Sequence, residues 1–246
     1  MKSWLLLAVP VLLVGCAEGT PTQPALQAGK PAFAVVSDLS ARNWRLFSVM
    51  PATSAFWDID PLASVSDGVA EFPFPPFVAT DSGEFAVYLE SNYNFDITHK
   101  TITAAVNWNE GVFVTRGDAS DGAYVRLEFQ DVASGNYTSN DYWWYTGPSG
   151  VLNLNTRTDG TLTAPLSDRA NWTNVCGQLA TDTIAQPGPD CVGGTDPAVS
   201  PYDGFTYAMK HVKVVSLSFG RAGAYASGVA VVNGPSTFTL SAFTIQ

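Results

Sequence analysis

Apolar and polar residues alternate along most of the chain. The clearest run is Tyr124-Val125-Arg126-Leu127-Glu128-Phe129-Gln130, which puts Val125, Leu127 and Phe129 on one side and Tyr124, Arg126, Glu128 and Gln130 on the other. A side-chain period of two marks a strand with one buried face. Similar runs predict strands at 83–89, 101–106, 112–114, 152–155, 161–164, 212–219, 228–232 and 237–245, with earlier pieces at 33–36, 44–50 and 56–59. In the last strand the apolar set is Phe238 and Leu240, then Phe243 and Ile245. The phase slips at Ala242, so a bulge or a switch of sheet is expected there. Turn residues such as Asp159-Gly160 and Asn233-Gly234-Pro235 separate the runs. Many short strands with regular turns predict an all-β sandwich. One short helix fits at 203–211, with Asp203 as its cap and Phe205, Met209 and Val212 inward. Residues 169–180 stay ambiguous. Phe72-Pro-Phe-Pro-Pro-Phe77 reads as a rigid connector or an edge, since proline breaks a central ladder.

The first residues read as an address. Lys2 precedes an apolar run over 4–15 that is too short to span a bilayer, which takes about 20 residues. The run ends Leu13-Val14-Gly15-Cys16. This resembles the bacterial lipobox, which implies cleavage before Cys16, lipid on its thiol and amine, and, with Ala17 next, an outer-membrane or cell-surface location. More than one acyl chain is needed for stable anchoring. The alternative is an ordinary secretory signal with a chance cysteine. The division expected is a signal peptide at 1–15, a lipidated Cys16 with a flexible tether to 31, and a single sandwich domain over 32–246.

Export changes the reading of the other two cysteines. Cys176 and Cys191 flank a segment with Pro187, Gly188 and Pro189. In an oxidising compartment they are expected to form a disulfide, worth about 3 kcal/mol in the chain-entropy picture. A metal pair is the alternative, but neither of the two histidines is near.

Charge narrows the partners. Lys+Arg number 12 against 22 Asp+Glu, a net charge of −10. An acidic chain poor in cations argues against nucleic acid, whose phosphates need cations opposite them.

The order of pieces carries a resemblance. Tyr124 to Phe129, then Asp141-Tyr142-Trp143-Trp144, Leu162 to Leu166, Asn171-Trp172, Val214 to Gly220 and Thr237 to Leu240 follow one another. Together they resemble the galactose-binding-like jelly rolls of bacterial surface proteins, a class that includes many carbohydrate-binding modules. The resemblance implies a jelly-roll β-sandwich and a glycan partner. In many such modules an acid in the last strand helps hold a structural calcium. Ser236, Thr237 and Ser241 stand there instead, so calcium is left open.

Catalytic signatures are scarce. His99 and His211 are the only histidines, no Gly-x-Ser-x-Gly elbow occurs, and the strand at 124–130 carries one acid. A binding face fits better. Sugars offer apolar ring faces and many hydroxyls, which suit aromatic platforms beside planar hydrogen-bonding groups. Tyr124, Arg126, Glu128 and Gln130 supply such groups on one face, and Asp141, Trp143 and Trp144 follow in sequence. Trp108, between Asn107 and Asn109, is expected exposed in a turn as a platform. Trp143 and Trp144 face opposite ways in a strand, so one of them is core. The expectation is non-catalytic glycan binding. Its alternatives are a surface lipoprotein that binds protein, or a jelly-roll glycoside hydrolase or polysaccharide lyase. The enzyme needs a second carboxylate facing Glu128 at roughly 5–10 Å.

Overall fold

The computed structural model describes residues 44–50, 55–59, 64–66, 69–78, 83–117, 121–131, 141–181, 204–223 and 225–246. The signal segment, Cys16, the tether, the strand expected at 33–36 and Cys191 lie outside them. Among the described residues the chain forms two antiparallel sheets. The larger runs β12 (Trp172–Asn174), β9 (Tyr142–Tyr145), β8 (Tyr124–Gln130), β13 (Val212–Gly220), β5 (Phe85–Phe95), β1 (Trp44–Met50) and β2 (Ala55–Ile59). Beside it, β10 (Val151–Asn153) pairs with β8, and β14 (Val229–Val231) pairs with both β5 and β7 (Phe113–Thr115). The smaller sheet runs β11 (Asp159–Pro165), β6 (Thr101–Trp108), β15 (Thr237–Ile245), β4 (Val69–Pro73) and β3 (Ser64–Ser66).

The fold is an all-β sandwich. Its core lies between the sheets because each contributes one apolar parity. From the larger sheet come Leu89, Val125, Leu127, Phe129, Val215, Leu217 and Phe219; from the smaller come Phe72, Ile102, Ala104, Val106, Leu162, Phe238 and Leu240. Aromatic rings bridge the layers at centroid distances of 5.0 Å for Trp44 with Phe243, 5.6 Å for Phe72 with Phe219 and 5.1 Å for Phe219 with Phe238. Burying each such side chain contributes about 1.5–3 kcal/mol. The phase slip in β15 is a register shift against β6 between Leu240 and Ala242.

The proline-rich stretch links the layers. Pro73 ends β4 opposite Thr237, past the reach of β3, so its missing N–H breaks no ladder. Beyond it the non-proline amides do the donating: Phe74 N to Ser236 O at 2.8 Å and Phe77 N to Val231 O at 2.8 Å. The helix is α1 (Gly204–Lys210), with Phe205 packed on Trp143 at 4.9 Å and on Trp172 at 5.7 Å. Its expected cap, Asp203, lies outside the described residues. The ambiguous stretch 169–180 is a 3-10 turn (Arg169–Asn171), then β12, then turns, with Arg169 over the Phe205 ring at 5.2 Å.

Two positive-φ glycines fit turns. Gly234 (φ 74°) lies in the Asn-Gly-Pro turn before β15. Gly228 (φ 90°) ends the loop before β14, where a Cβ would stand 2.7 Å from the Cβ of Phe85.

Candidate functional site

The outward face of the larger sheet is built from rows of directly opposed residues. One row reads Arg45 (β1), Glu90 (β5), Ser216 (β13), Glu128 (β8), Trp144 (β9) and Thr173 (β12). The next reads Phe47, Tyr88, Ser218, Arg126 and Val151. A third aligns Asn92, Val214, Gln130 and Tyr142. Directly opposed residues of an antiparallel pair share a face. Register therefore gathers Arg126, Glu128, Gln130, Tyr142 and Trp144 with two residues that sequence reading missed, Tyr88 and Glu90.

A loop covers part of this face. Between β13 and β14 the chain turns back, with Gly228 N donating to Phe219 O at 2.9 Å and Ser218 Oγ to Tyr225 O at 3.3 Å. Tyr225 is thereby brought against Trp144, centroid to centroid 5.6 Å, while Tyr142 and Trp144 stack at 6.1 Å and 16°. The Arg126 guanidinium lies 4.8 Å from the Tyr225 ring centre and 5.1 Å from that of Tyr124.

The polar members are buried, which sequence alternation alone does not foretell. Arg126 is 3% exposed, Glu128 0% and Trp144 3%. Ser216 Oγ donates to Glu128 Oε2. Yet Glu128 Oε1, Arg126 Nη1 and Trp144 Nε1 have no hydrogen-bond partner among the described residues. Most buried polar atoms in folded proteins are paired, and leaving one unpaired costs about 1–3 kcal/mol. Three such atoms on one face, flanked by aromatic planes, form the strongest candidate site among the described residues.

The electrostatics follow from burial. Desolvation raises the Glu128 carboxyl well above the usual carboxylate range, and Glu90 adds to this; the Gln130 side chain works more weakly the other way. The shift favours the protonated form, which donates as well as accepts. Burial lowers Arg126 to about 10, which leaves it a cation, and the nearby tyrosines Tyr225 and Tyr124 oppose that shift. Burial, with Glu128, Tyr142 and Glu90 nearby, pushes the Tyr88 phenol well above its ordinary value.

Trp108, expected as a platform, belongs to the core, and Trp143 is the core member of its pair. Trp108 is not in a turn: β6 runs on through it, and it stacks on Phe238 at 6.1 Å and 11° while its Nε1 donates to Leu154 O at 3.1 Å. Its exposure as a platform is therefore corrected. Trp143 turns inward to Phe205. Asp141 precedes β9 in phase with Trp143 rather than Trp144, and its carbonyl accepts from Asp131 N at 2.8 Å. Both histidines are exposed, His99 in a turn and His211 with Nδ1 2.8 Å from Tyr207 O. Among the described residues no group of three His, Cys, Asp or Glu is placed to hold a metal ion.

No protein-family description matches the chain, and no curated protein does. Solved structures give shallow likenesses. One is LamA from Z. galactanivorans in complex with laminaritriose and laminaritetraose, at 10% identity over 84% of this chain and 92% of that one, with a TM-score of 0.39. Another is the binding domain of botulinum neurotoxin DC in complex with SialylT, at 12% identity and a TM-score of 0.24. It is matched over 85% of this chain and 48% of its own, so this chain spans about half its length.

Proposed function

We propose that this is a lipid-anchored protein of the cell envelope that binds glycan, without catalysis, on the outward face of its larger sheet. The observation that carries the reading is the set of three unpartnered buried atoms, Arg126 Nη1, Glu128 Oε1 and Trp144 Nε1, beside the Tyr142–Trp144 stack. A saccharide that displaces the Tyr225 loop would supply what they lack: hydroxyls that donate and accept, and an apolar ring face for the aromatics. The anchor rests on the Leu13-Val14-Gly15-Cys16 box, and a Cys176–Cys191 disulfide is proposed from export alone. A glycan array with detergent-solubilised protein tests the binding. Saturable binding that Trp144→Phe weakens supports the reading, and a folded protein that binds no glycan refutes it. Intact mass tests the anchor, and non-reducing peptide mapping tests the disulfide.

One observation favours a second reading. Glu90 and Glu128 flank Ser216 in the same row, so their backbones stand two strand spacings apart, about 10 Å. Inverting glycoside hydrolysis uses carboxyl groups about 6.5–9.5 Å apart, a spacing compatible with that backbone separation. Glu128 would protonate the leaving oxygen while Glu90 takes a proton from the attacking water. Release of new reducing ends, lost in both Glu90→Gln and Glu128→Gln, would select this reading; glycan bound and left intact selects the first.

A further inference from the structure

We infer that the glycan taken by this face is acidic, with Arg126 holding a carboxylate carried on a sugar ring, as in a hexuronate chain. The inference rests on the glycan reading and names its ligand class.

Tyr124 and Tyr225 lie against the Arg126 guanidinium at 5.1 Å and 4.8 Å. The N–H groups of a guanidinium all lie in one plane. Arg126 is 3% exposed, and Nη1 reaches no acceptor. Among the described residues no carboxylate pairs with it. Glu128, two residues along on the same face, receives Ser216 Oγ instead. Burial leaves the guanidinium protonated at neutral pH, since it brings its pKa only to about 10.

A buried cation without a counter-charge is strongly unfavourable, and a planar carboxylate relieves it with two parallel N–H···O bonds. The neighbours agree. Trp144 Nε1 is a second unpartnered donor on the same face, so a ligand with acceptors fits. The C–H face of the same sugar ring suits Tyr142, the half-buried ring of the Tyr142–Trp144 pair. Net charge does not produce this preference. At −10 the chain repels polyanions at long range, so recognition has to be local, within a Debye length of about 8 Å.

The test is calorimetric titration of the whole detergent-solubilised protein with polygalacturonate, the same polymer fully methyl-esterified, a neutral β-glucan and dextran sulfate. The expected result is polygalacturonate bound about tenfold or more tighter than its ester. Arg126→Met abolishes that difference and Arg126→Lys restores it only in part. Ester or neutral glucan bound as tightly as the acid overturns the inference and leaves the glycan reading standing. Dextran sulfate bound as tightly as the uronate overturns the carboxylate assignment. Failure to bind any of the four, or any glycan on an array, overturns both. Should Arg126→Met not fold, the acid-against-ester comparison on the unaltered protein decides alone.

Discussion

Glu128 and Trp144 stand directly opposite each other across the β8–β9 ladder, and each keeps one buried polar atom without a partner. Their immediate neighbours include Trp143, which faces the other way into the core against Phe205. This places adjacent tryptophans in different roles. Trp143→Phe should lower stability by about 2 kcal/mol through lost core packing. Trp144→Phe should change it by less than about 1 kcal/mol, because removing an unpaired donor offsets the lost ring area. Urea denaturation of the two variants checks the contrast.

Glu128 predicts a pH dependence. Its carboxyl is raised in the folded protein relative to the unfolded chain. The native state therefore holds the proton more tightly. The stability tied to this is full below the unfolded carboxylate value of about 4.3 and is lost as pH rises through the raised folded value, with a limiting slope of about 1.4 kcal/mol per pH unit. Glu128→Gln carries no titrating proton. The stability of Glu128→Gln relative to the unaltered protein should stay level in acid and rise with pH above that point. Thermal melts from pH 3 to neutrality measure it, and a difference that does not vary with pH contradicts the raised carboxyl.

Trp108 belongs to stability rather than binding. Trp108→Ala removes a ring stacked on Phe238 and the Nε1 bond to Leu154 O. A loss of about 3–5 kcal/mol is expected, with glycan affinity unchanged in whatever fraction remains folded.

Gly228→Ala should act at a distance on the face. The residue has φ 90°, and a Cβ there would meet Phe85 Cβ at 2.7 Å, so the loop that carries Tyr225 must shift. A loss of about 1–3 kcal/mol in stability, together with weaker ligand binding, is expected. Denaturation and titration of the same sample separate the two effects.

The sequence showed some of this face plainly and hid the rest for identifiable reasons. The alternation in β8 put Tyr124, Arg126, Glu128 and Gln130 on one side, because period two is a local property of a single strand. Trp108 was misplaced although its phase was visible: it continues Ile102, Ala104 and Val106 at steps of two, and the flanking Asn107 and Asn109 suggested a turn instead. Glu90 was missed because β5 runs on to Phe95 through Glu-Ser-Asn-Tyr-Asn, a polar stretch that reads as loop. Its meeting with Glu128 depends on register across β13, which no local pattern carries. Tyr225 comes from a loop folded over the sheet, and that contact is likewise tertiary. The burial of Arg126 and Glu128 was invisible for the same reason, since a strand's outward residues are expected to meet water until something covers them.

The most direct measurement is glycan binding by the unaltered protein and by Trp144→Phe in parallel, with folding of both confirmed by circular dichroism. The site described predicts saturable binding to a defined glycan, weakened by about fivefold to tenfold when the indole N–H is removed. Absence of binding to any glycan by folded protein, or binding that Trp144→Phe leaves untouched, would contradict it.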